Sequence, residues 1–260
     1  MKFSMTSDAY DADQSIEERL IHFSNAGFSH IHWCEQATSD KLYTPEDADG
    51  IRRAADMVGL KIQNIHSVWR FDGNRPFSER DWYELNRNRI EFISQLGGDC
   101  IVLHIPQNLS DRYIESDRKE SERLINLLQP VARKHGVRLA IENMENAPCR
   151  PLFDYLFALF APDELGFCFD SGHAHITGEL EILEHYMDRL ILTHLHDNRG
   201  RADEHLLPGQ GTINWKPIIS SLKKNPDLRI INIEVFWSGD VPKDQWSQMA
   251  YRSIADLWGS

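Results

Sequence analysis

Six residues of the chain are spaced by roughly one β/α unit, about 30 residues, and each carries a side chain that binds divalent metals: His66, His104, Glu142, Asp170, His194 and Glu234. Three more donors lie close behind them, His173 just after Asp170, and Asp203 with His205. Taken singly, none of these says much. A lone histidine at a strand end is ordinarily a hydrogen-bonded rim residue, and a lone carboxylate caps a helix or pairs with lysine. The set reads differently. Several carboxylates sharing one buried pocket repel one another or are driven to take up protons. Divalent cations remove that conflict, and a mixed nitrogen and oxygen donor set suits Zn²⁺, Mn²⁺, Co²⁺ or Fe²⁺.

The donors meet only if the chain folds so as to bring strand ends together. Short apolar runs predict strands at Lys2–Met5, Phe28–Trp33, Lys61–His66, Cys100–Ile105, Arg138–Glu142, Gly166–Asp170, Leu190–His194 and Arg229–Glu234. Several are continuously apolar rather than alternating, as expected of parallel strands covered on both faces. Between them, helical spacing predicts helices at Ile16–Ala26, Pro45–Val58, Asp81–Leu96, Asp117–His135, Pro151–Phe160, Glu179–Met187, Trp215–Lys223 and Lys243–Trp258. Gly27, Gly59, Gly97 and Gly136 follow four of these as stop signals. Eight strands alternating with eight helices predict a single (β/α)₈ TIM barrel, an α/β fold, over a doubly wound open sheet. The 260 residues match the roughly 250 that such a barrel needs as one domain, so residues 1–260 read as one domain. The longer connections, Ser67–Arg80, Gln107–Ser116, Asn143–Arg150 and His196–Asn214, all follow strands, where a barrel carries its active-site loops.

Composition narrows the partners. The formal charge is −12, from 40 acidic against 28 basic residues, a balance that disfavours binding nucleic acid unless bound cations reverse the local field. Cys34, Cys100, Cys149 and Cys168 form no CxxC pair, which favours reduced thiols in a cytoplasmic protein over a disulfide framework. The N-terminal stretch lacks an apolar signal core, and no run approaches the roughly 18 apolar residues of a membrane span. Trp246, Tyr251 and Trp258 near the C-terminus suggest helix packing or a contact in a homo-oligomer.

The segment Gly166-Phe-Cys-Phe-Asp-Ser-Gly-His-Ala-His-Ile-Thr-Gly178 resembles the G-x-C-x-D-x-x-H-A motif of the xylose-isomerase-like barrels. His194-Leu-His-Asp-Asn198, Asp203-Glu-His205, Pro208-Gly-Gln-Gly211, Ile141-Glu142-Asn143 and Ile233-Glu234 extend the likeness over most of the chain. That superfamily includes sugar isomerases, ketose 3-epimerases, inosose dehydratases and endonuclease-IV-type AP endonucleases. The resemblance implies a metal quartet of Glu142, Asp170, His194 and Glu234. His196 competes with His194 for one place in the His-x-His motif, and His194 is the preferred member. In the trinuclear nucleases the matching His66 and His104 would join Glu142 around a second ion, and His173, Asp203 and His205 would hold a third. The implied cofactor is therefore one to three divalent ions, Zn²⁺, Mn²⁺ or Co²⁺.

Two chemistries fit that frame. In a sugar isomerase or epimerase, Glu142 and Glu234 would face opposite sides of a ketose or keto-polyol and exchange a proton next to its carbonyl. His173 and an arginine, Arg199 or Arg201, would hold hydroxyls, as similar positions do in the ketose epimerases. Trp33, Trp69 and Phe71 offer apolar walls for sugar C–H faces, or else pack in the core or rim. In a nuclease, three ions would cleave a phosphodiester; the full set of nine donors favours this alternative. Against it stand Ser67-Val-Trp-Arg-Phe-Asp72, Gln210 in place of the nucleases' Glu, and the acidic composition. A lyase or hydrolase acting on a small polyol, and a non-catalytic metal-binding barrel, are further alternatives. Asn143, Glu145 and Glu35 are candidate substrate contacts, or equally loop and rim residues.

Overall fold

A computed structural model describes residues 1–10, 14–35, 41–68, 78–106, 114–146 and 148–260. Eight parallel strands form the sheet: β1 (Lys2–Thr6), β2 (His30–Trp33), β3 (Lys61–His66), β4 (Cys100–Leu103), β5 (Arg138–Glu142), β6 (Leu165–Asp170), β7 (Leu190–His194) and β8 (Ile230–Ile233). Neighbours in the chain are neighbours in the sheet, and β1 also pairs with β8. The remaining seam, between β7 and β8, is narrow. Leu195 N–H donates to the Asn232 carbonyl at 3.0 Å and Glu234 N–H to the Leu195 carbonyl at 3.1 Å. The Thr193 hydroxyl completes it, accepting from Asn232 N–H at 3.1 Å and donating to the Asn232 carbonyl at 3.2 Å. The result is a (β/α)₈ TIM barrel.

The helices are α1 (Ile16–Ala26), α2 (Pro45–Met57), α3 (Glu79–Gln95), α4 (Ile114–His135), α5 (Arg150–Leu159), α6 (Ser171–Thr177), α7 (Ile182–His185), α8 (Trp215–Lys224) and α9 (Lys243–Gly259). Their starts follow from local chemistry. Ser15 and Glu18 form a reciprocal capping box on α1, and Thr44 and Asp47 do the same on α2, where Pro45 supplies a preset φ. One expected element is corrected. Instead of a helix over Glu179–Met187, the chain forms α6 directly after β6, and only the four residues of α7 follow. Asp170 caps α6 by accepting from His173 N–H at 2.7 Å, and Gly178, with φ of 74°, ends it.

Side chains alternate between two environments along each strand. Ile31, Ile65, Ile101, Leu139, Ile141, Phe167, Phe169 and Ile231 face the helices and are fully buried against residues such as Leu20, Phe23, Ile90, Phe153 and Leu156. Each such burial contributes about 1.5–3 kcal/mol. A small second cluster, Cys100, Val102, Ala140, Cys168 and Leu192, fills part of the barrel interior. Above it, the inward positions turn polar, and the donors begin. All four cysteines are buried free thiols. Among the described residues no helix is long and apolar enough to cross a membrane.

The seam yields a stability test. Thr193→Val keeps the shape but leaves the buried Asn232 N–H without its partner, a loss of about 1–3 kcal/mol. Urea unfolding should show that drop in midpoint with an unchanged slope.

Candidate metal centre

His66, Glu142, Asp170 and His194 are the last residues of β3, β5, β6 and β7, and His104 and Glu234 lie one residue beyond β4 and β8. All six therefore project from one end of the barrel. Glu142 is the centre of one arc. Its Oε2 lies 3.0 Å from His104 Nε2 and 3.6 Å from His66 Nε2; its Oε1 lies 3.0 Å from His194 Nδ1 and 3.6 Å from His173 Nδ1. Glu234 Oε2 closes on the same His194 Nδ1 at 2.9 Å. The second arc runs through Asp170 and Asp203. His196 Nε2 lies 3.1 Å from Asp170 Oδ1 and 3.5 Å from Asp203 Oδ1. Asp203 Oδ2 lies 2.8 Å from His205 Nε2 and 3.4 Å from His173 Nε2.

The geometry separates the two members of the His-x-His motif. His194 stands between Glu142 and Glu234, whereas His196 stands behind Asp170, stacked on His205 with ring centroids 4.0 Å apart. Gly172 makes room for it: a Cβ there would lie 1.9 Å from His196 Cε1.

Three histidines are oriented by main-chain carbonyls. His66 Nδ1 donates to the Ser67 carbonyl at 2.9 Å, His173 Nδ1 to that of Asn143 at 2.9 Å, and His205 Nδ1 to that of Glu234 at 2.7 Å. A neutral imidazole that donates from Nδ1 keeps a lone pair on Nε2. In all three, Nε2 faces a carboxylate oxygen. Two acceptors that close attract each other only through a proton or a cation between them. Donating the second N–H to a carbonyl is also how metal-ligating histidines are held. The donor set therefore fits divalent metal on structural grounds. Ligand atoms from His66, His104 and Glu142, from Asp170, His173 and His196, and from His196, Asp203 and His205 each lie within 4.8 Å of one another.

Electrostatics report the same tension. Burial alone would raise the Glu142 carboxyl, but His194 and His104 hold it well below the usual carboxylate range. Glu234 behaves alike, its burial outweighed by His194 and then His205. Burial opposes charge on His205, but Asp203 and Glu234 raise its pKa to about 9.

Loop residues that the sequence left open now have places. Asn143 latches β5 to β6, donating from Nδ2 to the Asp170 carbonyl at 2.8 Å and accepting from Asp170 N–H at 2.9 Å. Asp197, which sequence reasoning missed, organises the loop after β7. It is fully buried and accepts from Asn198 N–H, Gly209 N–H, Ile213 N–H and Trp215 Nε1–H at 2.8–3.2 Å. That explains Gly211 in the Pro-Gly-Gln-Gly segment, where a Cβ would lie 2.2 Å from Asp197 Oδ1.

The remaining candidates take these places. Trp33 is a core residue, 3% exposed, its Nε1–H donating to Tyr43 Oη at 3.0 Å. It sits at an outward position of β2, under the helices. Arg199 bonds Glu204 through both its guanidinium and its N–H, and points to solvent with 58% of its side chain exposed. Arg201 is exposed as well. Glu35 pairs with the buried Arg19 at 2.6 Å. Glu145 reaches only the margin, 3.5 Å from His173 Nε2. Trp69 and Phe71 lie outside the described residues.

Two measurements follow. In chelator-treated protein, the charged His205 stabilises the fold fully below the ordinary histidine pKa of about 6.5, and that contribution is lost as pH rises through about 9. The Tm should fall across that window, and Asp203→Asn should flatten the fall. Gly172→Ala displaces His196 from Asp170 and should weaken zinc binding by about 10–100-fold in calorimetric titration.

Comparison with known proteins agrees with this architecture. Residues 22–256 match the family described as xylose isomerase-like TIM barrel. An uncharacterized protein of Sinorhizobium fredii (strain NBRC 101917 / NGR234) is 30% identical over 255 residues, spanning 85% of this chain and 81% of its own. Inosose dehydratase of Lacticaseibacillus casei is 27% identical over 216 residues, spanning 70% and 71%. Among solved structures, the IolI protein with a bound zinc atom superposes with a TM-score of 0.81 at 19% identity, over 100% of this chain and 98% of that one. A D-tagatose 3-epimerase-like protein gives 0.77 at 22%, over 100% and 98%. The chain belongs to the xylose isomerase-like TIM-barrel family.

Proposed function

We propose that the protein is a divalent-metal-dependent isomerase or epimerase of a small ketose or keto-polyol. It acts by moving a proton on and off the carbon next to the carbonyl. The observation that carries this reading is the convergence of Glu142 and Glu234 on one point, His194 Nδ1, at 3.0 and 2.9 Å. Two carboxylates that meet there from non-adjacent strands can address opposite sides of one substrate carbon. The inosose dehydratase and inosose isomerase relatives support the substrate class.

Glu142, Asp170, His194 and Glu234 would hold the first ion, with His66, His104, His173, Asp203 and His205 as further donors; zinc, manganese and cobalt suit this set. When bound, a divalent ion supplies positive charge against the negative charge that develops on the substrate oxygens. The chain's own groups do the proton transfer. The histidines around them hold both glutamates below the usual carboxylate range despite burial, and an ionised carboxylate on either face would accept the proton. The one that takes it, or its partner on the other face, returns it to the same or the adjacent carbon. His173, held through Nδ1 by the Asn143 carbonyl, would direct Nε2 at a substrate hydroxyl in any subsite where it does not bind metal.

Dehydration is the second reading, supported by the inosose dehydratase relative. It begins with the same proton abstraction and then expels the hydroxyl from the next carbon as water, with one proton supplied by the enzyme. Phosphodiester cleavage is the weaker alternative, since the acidic composition gives the mouth little with which to grip a polyanion.

The test is incubation with ketoses and inososes in deuterium oxide. The wild-type protein should wash deuterium into the carbon next to the carbonyl. Glu142→Gln and Glu234→Gln should each lower turnover by at least about 100-fold, the lower range for a general base, with circular dichroism unchanged. Full activity in both variants would sink the two-glutamate mechanism.

A further inference from the structure

Beneath the ring, the barrel interior holds a group that none of the donors above explains. His32, in β2, is fully buried. Its Nδ1 donates to Oδ1 of Asn64, its partner across the β2–β3 ladder. Its Nε2 is buried and, among the described residues, has no hydrogen-bond partner. The ring lies 4.7 Å from that of His194 and 5.9 Å from that of His66, centroid to centroid. Ligand atoms of His32, His194 and Glu234, one from each, lie within 4.8 Å of one another.

We propose that His32 is an additional metal ligand, donating through Nε2 from the floor of the barrel into a cation site shared with His194 and Glu234. The inference rests on the metal reading of the ring and extends it to a residue outside the nine donors and below them.

Three observations carry it. The first is orientation: an amide oxygen holds the Nδ1 proton, so the lone pair is on Nε2, the arrangement that metal-ligating histidines adopt. The second is that a buried nitrogen acceptor with no partner forfeits its hydration for nothing, and such groups in native proteins call for an occupant. The third is the surrounding composition. TIM-barrel interiors are filled mainly by branched apolar side chains, yet here the buried Ser4, His32, Asn64 and Asn232 alternate with the helix-facing core residues Phe3, Ile31, Ile65 and Ile231 on β1, β2, β3 and β8 and so take inward positions. Among the described residues, Ser4 Oγ and both side-chain polar atoms of Asn232 are buried without partners as well. A polar floor of this kind suits an ion, with any water that accompanies it, and would destabilise a dry apolar core.

The experiment uses the full chain, stripped of metal and reloaded with Co²⁺, in wild type, His32→Leu, His32→Gln and Asn64→Leu. In paramagnetic proton NMR, each histidine bound through Nε2 gives a solvent-exchangeable, strongly shifted Nδ1–H signal. Both His32 variants should lose one such signal and bind Co²⁺ at least about ten-fold more weakly. Asn64→Leu keeps the imidazole but removes its orienting partner, so it should shift that signal and weaken binding by about 10–100-fold. Gln keeps bulk and polarity in the floor, so matching urea midpoints for it and the wild type separate ligation from packing. A wild-type spectrum whose shifted signals and Co²⁺ affinity survive unchanged in all three variants overturns the floor ligand and leaves the ring standing. A wild type that takes up no cobalt overturns both.

Discussion

Three histidines at the mouth of the barrel give their Nδ1 protons to main-chain carbonyls and turn their Nε2 lone pairs toward carboxylates 2.8–3.6 Å away. Facing acceptors repel, and the pocket is too buried for water to screen them well. Two solutions exist. Protons turn histidines into imidazoliums, which is what the raised pKa values of two of them, His173 and His205, describe, each net of a burial penalty. Divalent cations do the same work and leave the imidazoles neutral. The orienting carbonyls favour the second, because they fix which nitrogen is left to bind.

The rest of the structure keeps those groups from moving apart. Parallel strands place the donors at one end because every strand points the same way. Asn143 ties the ends of β5 and β6 together through two hydrogen bonds, which fixes Asp170 relative to Glu142. Asp197 gathers three main-chain N–H groups from the loop after β7 and the Trp215 indole N–H at the start of α8, and that loop carries Asp203 and His205. Second-layer contacts of this sort set the rigidity of a site as much as the donors do.

The barrel was legible because its signals are redundant: eight apolar runs, glycine stops and capping residues agree. The failure at Glu179–Met187 shows the limit, since the cap that starts α6 is Asp170, a residue already claimed by chemistry. The ring was legible for the same reason, one donor per strand end. What stayed hidden depends on side-chain direction and alternation over distance. Trp33 could be read as a pocket wall or as core packing, and alternation decides for the core: it is one residue out of phase with inward-facing His32. Arg199 and Arg201 sit in the expected connection, yet a local pairing with Glu204 turns the first to solvent. Asp197 left no signal except its position between the His-x-His and Pro-Gly-Gln-Gly segments.

The central claim is that this ring exists to hold metal. Elemental analysis of the protein, stripped with chelator, reloaded with zinc or manganese and dialysed, tests it most directly. The account predicts at least one tightly held ion per chain, lost when Glu142 and Glu234 are both replaced by alanine in protein that remains folded. Retention of no metal by the wild type, or equal retention by the double variant, would contradict it.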